Sequence, residues 1–520
     1  MEYVLTAKQM QHLDHQTIES FHIPSLVLME RAAYQVYLEL MKNAPSKVLI
    51  LCGTGNNGGD GLALARMLTL SGVAVRVLVL GDESKRTKEC AMQADSLMRM
   101  IETGEFNCGI CHEIPNESFD LIVDCIFGIG LSREISGSFA HIIEAVNAID
   151  VKRVAVDIPS GVHADTGQIL GVCVHADETY AIAYRKPGML LMPGKQYCGG
   201  VHVCDIGIVP FFDETTRKAC GFCYSTADLK RLPKRNPYGN KGSYGKLGII
   251  AGSAQIGGAA LFAANSAYHM GCGYVRLFTH QNNYDAVLKA VPETVMTTYD
   301  TSDTIDETMQ KLGVFLTQNS ALVIGPGLGM STLSYEIVKM TLATAKVPII
   351  VDADACNLIA AHTELRKLVR KYRQRTGCQV VFTPHKAELA RLCDCDLHEI
   401  QMHFTQRAGE ASCQYDTIVC AKDAGSILVD EKRIYYNISG NDALATAGSG
   451  DVLSGIMGAL FAAAGEKPLF ETAAFAMYLH GLLGEIAAGK YGAFYVTAGD
   501  LIACMPQLAG DERREYHESL

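Results

Sequence analysis

The chain has 520 residues, 48% of them hydrophobic, and a formal net charge of −11. That length exceeds what one small core organises and points to two domains. The acidic balance and the lack of a long basic run exclude a dedicated nucleic-acid binder, although backbone amides can still hold a nucleotide's phosphates.

The start, Met1-Glu2-Tyr3-Val4-Leu5-Thr6, has neither the basic nor the apolar region of an export signal. No apolar run reaches the roughly 18 residues of a membrane span. The longest candidate, residues 453–465, is rich in Gly and Ala and reads as a buried helix. A cytoplasmic setting is therefore expected, with the 18 cysteines as free thiols. Cys108-Gly-Ile-Cys111 and Cys220-Gly-Phe-Cys223 lie too far apart for a zinc ribbon.

Thr6 with Gln9 forms a capping-box signature for a first helix, with Met10, Leu13 and Ile18 on its apolar side. A second helical pattern follows Pro24 through Leu26, Met29, Ala33, Val36 and Leu40. Strand candidates then alternate with helices at residues 47–51, 73–80, 121–126, 153–158 and 179–183. They are continuous apolar runs, as expected of strands covered on both faces, and they imply a parallel, doubly wound sheet. Residues 211–240 break the rhythm with Asp213, Glu214, Arg217, Lys218 and two prolines. A boundary near residue 225 divides the chain into expected domains 1–222 and 223–512. A second alternating series follows at 246–250, 274–278, 321–324, 348–351, 379–382 and 417–420. The fold class is α/β, two tandem doubly wound domains.

Each half carries glycine turns at predicted strand ends. In the first, Gly53-Thr54-Gly55-Asn56-Asn57-Gly58-Gly59-Asp60-Gly61 joins a strand to a helix, the opening of a nucleotide-binding unit. Val123-Asp124-Cys125-Ile126-Phe127-Gly128-Ile129-Gly130 and Val156-Asp157-Ile158-Pro159-Ser160-Gly161 place further oxygens at two more strand ends. Such a cluster suits a hard cation or a ribose and phosphate group. In the second, Ala447-Gly448-Ser449-Gly450-Asp451 precedes an apolar helix. Its amides can cradle phosphate, whereas Asp451, repelled by phosphate, reads as a base or metal organiser facing a substrate hydroxyl. Asn240-Lys241-Gly242-Ser243-Tyr244-Gly245-Lys246 is not a P-loop, because Asn240 stands where Gly is needed and Leu247 where Ser or Thr is needed.

Residues 10–210 resemble the YjeF N-terminal family of NAD(P)HX epimerases through the Asn-Asn-Gly-Gly-Asp-Gly, Asp-x-x-Phe-Gly-x-Gly and Val-Asp-Ile-Pro-Ser-Gly segments, in that order. The resemblance implies that hydrated NADH or NADPH binds at Asn56, Asn57, Gly58, Gly59 and Asp60, at Gly128, Ile129, Gly130, Leu131, Ser132, Arg133 and Glu134, and at Asp157, the acid–base candidate. It implies potassium (K+) at Asn57, Asp124 and Ser160. Ile129 stands where the family often has Thr. Residues 240–499 resemble the ADP- or ATP-dependent NAD(P)HX dehydratases, with a ribokinase-like fold. That resemblance implies substrate contacts from Ala259, Gly327, His385 and Asp451. It implies adenine-nucleotide contacts from Lys422, Asp423, Ala424, Gly425, Ser426 and Gly450, with magnesium (Mg2+). Ala387 and Asp423 stand where the family has Gly. An Ala would be strained at positive φ, and an added acid would repel a phosphate. Asp352 and Asp354 are expected to organise this site.

The implied protein is a bifunctional repair enzyme with catalytic Asp157 and Asp451, acting on NADHX and NADPHX and assembling as a homo-oligomer. A ribokinase-type kinase of a vitamin precursor and a non-catalytic nucleotide sensor are the alternatives.

Overall fold

The computed structural model describes residues 1–212, 220–465 and 468–509. Two compact units divide between Gly221 and Phe222, with Met1–Glu2 grouped with the second. Asp213, Glu214, Arg217 and Lys218 of the expected linker, and the expected bound at residue 512, lie outside the described residues.

After a short β1 (Glu2–Val4), helix Ala7–Glu19 opens on the capping box read from the sequence: Thr6 accepts from the Gln9 N–H and Gln9 reaches back to Thr6. The first unit then places seven strands in one sheet: β2 (Lys47–Cys52), β3 (Ala74–Val79), β4 (Cys108–Cys111), β5 (Leu121–Cys125), β6 (Lys152–Val156), β7 (Glu178–Ile182) and β8 (Gly200–Cys204). All pair in parallel in the order β4-β3-β2-β5-β6-β7-β8. Because strand side chains alternate, Val48, Ile50 and Cys52 enter one buried cluster, and Leu49 and Leu51 the one on the opposite face. Each such Leu or Ile contributes about 1.5–3 kcal/mol by leaving water. The order reverses around β2, so the crevice beyond the carboxyl ends of β2 and β5 is where a ligand belongs.

The second unit holds β9 (Gly221–Cys223), β10 (Lys246–Ile250), β11 (Tyr274–His280), β12 (Val295–Tyr299), β13 (Ala321–Ile324), β14 (Ile349–Val351), β15 (Val380–Phe382), β16 (Ile418–Ala421), β17 (Ile427–Val429) and β18 (Ile434–Tyr436). From β12 to β16 the order is β12-β11-β10-β13-β14-β15-β16, all parallel, reversing at β10. The sheet departs from the all-parallel expectation beyond β16, where β16-β17-β18 is antiparallel. The Gly- and Ala-rich segment forms helix Ser449–Ala462, buried along nearly its whole length. Its small residues permit close approach: a Cβ on Gly455 would meet the Ser266 hydroxyl at 2.0 Å, and one on Gly458 would meet Val323 at 2.8 Å. No helix among the described residues is long and apolar enough to cross a membrane.

Candidate active sites

In the first unit the turns after β2, β5 and β6 converge on a cavity of about 570 Å³. Its wall includes Asn56, Asn57, Asp60, Gly128, Ile129, Gly130, Leu131, Ser132, Arg133 and Asp157. Glu134, Gly58 and Gly59 are not on the wall. Glu134 is exposed, and both glycines are buried in the first turn of helix Asn56–Leu70. A Cβ on Gly58 would lie 1.9 Å from the Gly53 carbonyl oxygen. Gly58 therefore seats the helix end against the turn after β2, and Gly59 lets Met29 and Cys90 of two neighbouring helices approach, which together present Asn56 and Asn57 to the cavity.

Asp157 occupies a left-handed conformation, φ +69°, which Asp tolerates better than most residues but at a cost of about 1–3 kcal/mol. Its carboxylate is fixed from two sides. Lys186 Nζ, fully buried, donates to Oδ1 at 2.5 Å, and the Ile129 N–H donates to Oδ2 at 3.0 Å. The contact at position 129 is thus made by the backbone, so the missing Thr hydroxyl costs this bond nothing. Burial pushes the Asp60 carboxyl well above the usual range, and the charges of Asp157 and Asp14 push it further.

Beside the cavity, Asp124 accepts from the Ser160 hydroxyl and N–H, both at 2.7 Å, and from the Ile126 N–H at 3.1 Å. Burial still raises it to about 6. Ser160 Oγ accepts from the Phe127 N–H at 2.9 Å. Asn57 is buried with both its carboxamide atoms unpartnered. An orphaned amide oxygen near carboxylate and hydroxyl oxygens is the donor set a hard monovalent cation accepts, so these residues fit potassium.

In the second unit the strand ends bring together Asp352, Lys422, Asp451 and Ser454. Lys422 Nζ donates to Asp352 Oδ1 at 2.8 Å, and Ser454 donates to Oδ2 at 2.7 Å. Burial would raise Asp352, but the Lys422 charge and three side-chain hydrogen bonds outweigh it and hold it below its ordinary value. Burial likewise opposes the Lys422 charge, and Asp352 and Glu388 override it, raising Lys422. Asp451 lies in the first turn of its helix, after Gly448 at φ +90°. Burial, then the charges of Asp352 and Asp354, push it to about 7 against the pull of Lys422. Gly450 leaves Lys422 room, since a Cβ there would sit 3.4 Å from Nζ. Gly327, at φ +60°, adjoins Ala259: a Cβ on Gly327 would be 3.1 Å from the Ala259 methyl.

His385 caps helix Lys386–Leu392. Its Nδ1 accepts from the N–H groups of Ala387 and Glu388, and Glu388 accepts from the His385 N–H. Burial, then the charges of Lys422 and Arg391, lower its pKa. Ala387 is an ordinary helical residue outside the left-handed region, so its methyl brings no strain. Asp423 is paired with Lys386 at 2.9 Å, which offsets the acid beside the turn Asp423–Ser426. Cys108 and Cys111 lie on β4, and Cys220 and Cys223 at β9, with no disulfide joining them.

Sequence reasoning missed Lys186, Ser454 and the Lys422–Asp352 pair. A lysine just past a buried strand was the one available signal for Lys186; its partner lies 29 residues away.

The fold and sites define an α/β protein with two nucleotide-type crevices, one built around oxygen donors and one around a half-buried lysine and carboxylates. Residues 25–188 match the family model described as YjeF-related protein N-terminus, and residues 247–507 the one described as NAD(P)H-hydrate dehydratase. The chain is 33% identical to the bifunctional NAD(P)H-hydrate repair enzyme Nnr of Moorella thermoacetica, over 97% of this chain and 96% of that one. It is 31% identical to the enzyme of the same name from Escherichia coli, over 92% and 88%. An ADP/ATP-dependent NAD(P)H-hydrate dehydratase from Bacillus subtilis, crystallised with ATP/Mg2+, is 26% identical and covers 55% of this chain and 97% of its own, with a TM-score of 0.48. The chain belongs to the family of bifunctional NAD(P)H-hydrate repair enzymes.

Proposed function

We propose that the first unit interconverts the two epimers of hydrated NADH and NADPH, and that the second dehydrates one of them at the expense of ADP or ATP, returning NADH or NADPH. The observation that carries this reading is Asp451. A half-buried carboxyl in the first turn of a helix and raised to about 7 is suited to take a proton from a substrate hydroxyl near neutral pH. Hydroxide is a poor leaving group. Its phosphorylation turns it into a good one, which is why a phosphate-cradling site serves a dehydration.

Asp451 would accept the hydroxyl proton as the hydroxyl oxygen attacks the terminal phosphorus. The amides of Gly448, Ser449 and Gly450 would meet the charge gathering on the transferring phosphoryl group. Lys422, held in place by Asp352, would supply a fixed positive charge to the phosphates. His385, whose Nε2 lies 3.3 Å from Glu388 Oε1, would border the substrate. Among the described residues no three His, Cys, Asp or Glu side chains form a metal cage. Magnesium, arriving on the nucleotide phosphates, would neutralise their charge, and Asp354 would help to hold it there. In the first unit, Asn57, Asp124 and Ser160 would hold potassium, a fixed charge for the substrate's oxygens. The helix N-terminus at Asn56 would face its phosphate, and Asp157 would face the reacting ring.

The test is Asp451→Asn in the full chain, assayed on mixed epimers. Loss of dehydration with epimerisation intact supports two separate sites; loss of both together contradicts them.

A further inference from the structure

Asp60 and Asp157 face one cavity in opposite chemical situations. Asp157 is a carboxylate whose two oxygens are already taken, one by the buried Lys186 ammonium and one by the Ile129 N–H. Both oxygens thus already accept hydrogen bonds from the protein, and its charge faces the cavity. Asp60 makes no hydrogen bond or ion pair among the described residues.

Position links the two. A Cβ on Gly128 would lie 2.7 Å from Asp157 Oδ2 and 3.6 Å from Asn57 Cγ, so the Asn57 side chain lies close to the Asp157 carboxylate. Asp60 follows Asn57 by three residues on helix Asn56–Leu70 and shares its face. The wall therefore presents Asp157, then Asn57, then Asp60 one turn further on. The other ionisable groups near Asp60 are Asp14 on helix Ala7–Glu19 and the thiols of Cys90 on helix Lys88–Glu102, Cys52 at the end of β2 and Cys125 at the end of β5. Glu89 and Arg133 lie elsewhere on the wall. A half-buried carboxyl with no side-chain donor and two acidic neighbours is held toward its neutral form.

We propose that Asp60 is the catalytic acid of the epimerisation, working on the same stretch of cavity wall as the Lys186-paired carboxylate of Asp157. This rests on the epimerase reading above. Hydration of an enamine leaves the new hydroxyl on the carbon beside the ring nitrogen. Asp60 gives its proton to that hydroxyl. The C–O bond breaks with its electron pair on oxygen, water leaves, and the nitrogen lone pair forms a C=N bond. The Asp157 carboxylate stabilises this cation. A water then adds to the opposite face, a C–O bond forms, and the proton it sheds returns to Asp60. One water leaves and one enters, and the acid is regenerated.

Two measurements on the full chain test this. In heavy-oxygen water without adenine nucleotide, the wild type should place label in the hydroxyl at the rate of epimerisation. Epimerisation without label would overturn the proposal, because the C–O bond would then have stayed intact. Asp60→Asn should lower the epimerisation kcat by at least about 100-fold, with KM, thermal unfolding and dehydration close to wild type; Asp60→Glu should keep part of the rate. A raised KM with kcat intact, or an unaltered rate, would make Asp60 a binding residue and overturn its role as the acid. If Asp60→Asn does not fold, the labelling result and the Asp60→Glu rate decide. A wild type that epimerises nothing would refute the epimerase reading itself, a different outcome from either of these.

Discussion

The dehydration rate should carry an acid limb set by Asp451. Burial, then the charges of Asp352 and Asp354, hold this group near 7, with Lys422 pulling the other way. A base works ionised, so activity is lost as pH falls through that value. A group titrating at about 7 is about nine-tenths ionised at pH 8 and about one-tenth ionised at pH 6, so kcat/KM should fall about tenfold between them. Asp354→Asn keeps a side-chain oxygen to accept from the Gly329 N–H, a bond of 2.8 Å in the native chain, but removes one negative charge. The limb should therefore move to lower pH. Asp451→Asn should lose about 100- to 10,000-fold at every pH. The assay follows the return of reduced-nicotinamide absorbance from the purified reactive epimer with magnesium and saturating nucleotide. A rate flat from pH 6 to 8, or an Asp354→Asn limb shifted to higher pH, would refute the assignment of Asp451 as the base.

Lys186→Met leaves Asp157 without its cation and should cost about 3–5 kcal/mol in denaturant unfolding. Lys186→Met with Asp157→Asn should recover much of that, and a single variant within 1 kcal/mol of wild type would show the pair to be unimportant. Gly58→Ala should destabilise the first unit by about 1–3 kcal/mol, because the methyl would sit 1.9 Å from a backbone oxygen; calorimetry checks it. Lys386→Met should expose the Asp423 charge and weaken ADP binding about fivefold by calorimetric titration. Adding Asp423→Gly should restore it; no change in either variant would place the pair away from the nucleotide. Asn57→Ala should abolish any stimulation of epimerisation by potassium, and removal of potassium should leave that variant's rate unchanged.

The central strands were legible because they are buried on both faces and so read as unbroken apolar runs: 47–51 against the observed Lys47–Cys52, and 246–250 in full. The edge strands β4, β8 and β12 were not, since each is only partly buried and its residues carry no continuous apolar signal. The β17–β18 hairpin was missed as well, although its strands are mostly buried. The turns that line the first cavity were legible as glycine- and oxygen-rich segments at strand ends. What the sequence hides is partnership over distance. Nothing local ties Lys186 to Asp157, or Lys422 to Asp352 across 70 residues. The Ala387 and Asp423 departures also needed the fold, since one is settled by helical φ and the other by the Lys386 ammonium.

The most direct measurement of the central claim is a repair assay on a mixture of both hydrated NADH epimers, with potassium, magnesium and either ADP or ATP. The wild type should return all the absorbance. Asp451→Asn should return none yet still equilibrate the epimers, and Asp157→Asn should return only the fraction already present as the reactive epimer. A wild type that repairs neither epimer with either nucleotide, and instead forms a stable phosphorylated product from another hydroxyl compound, would contradict the account.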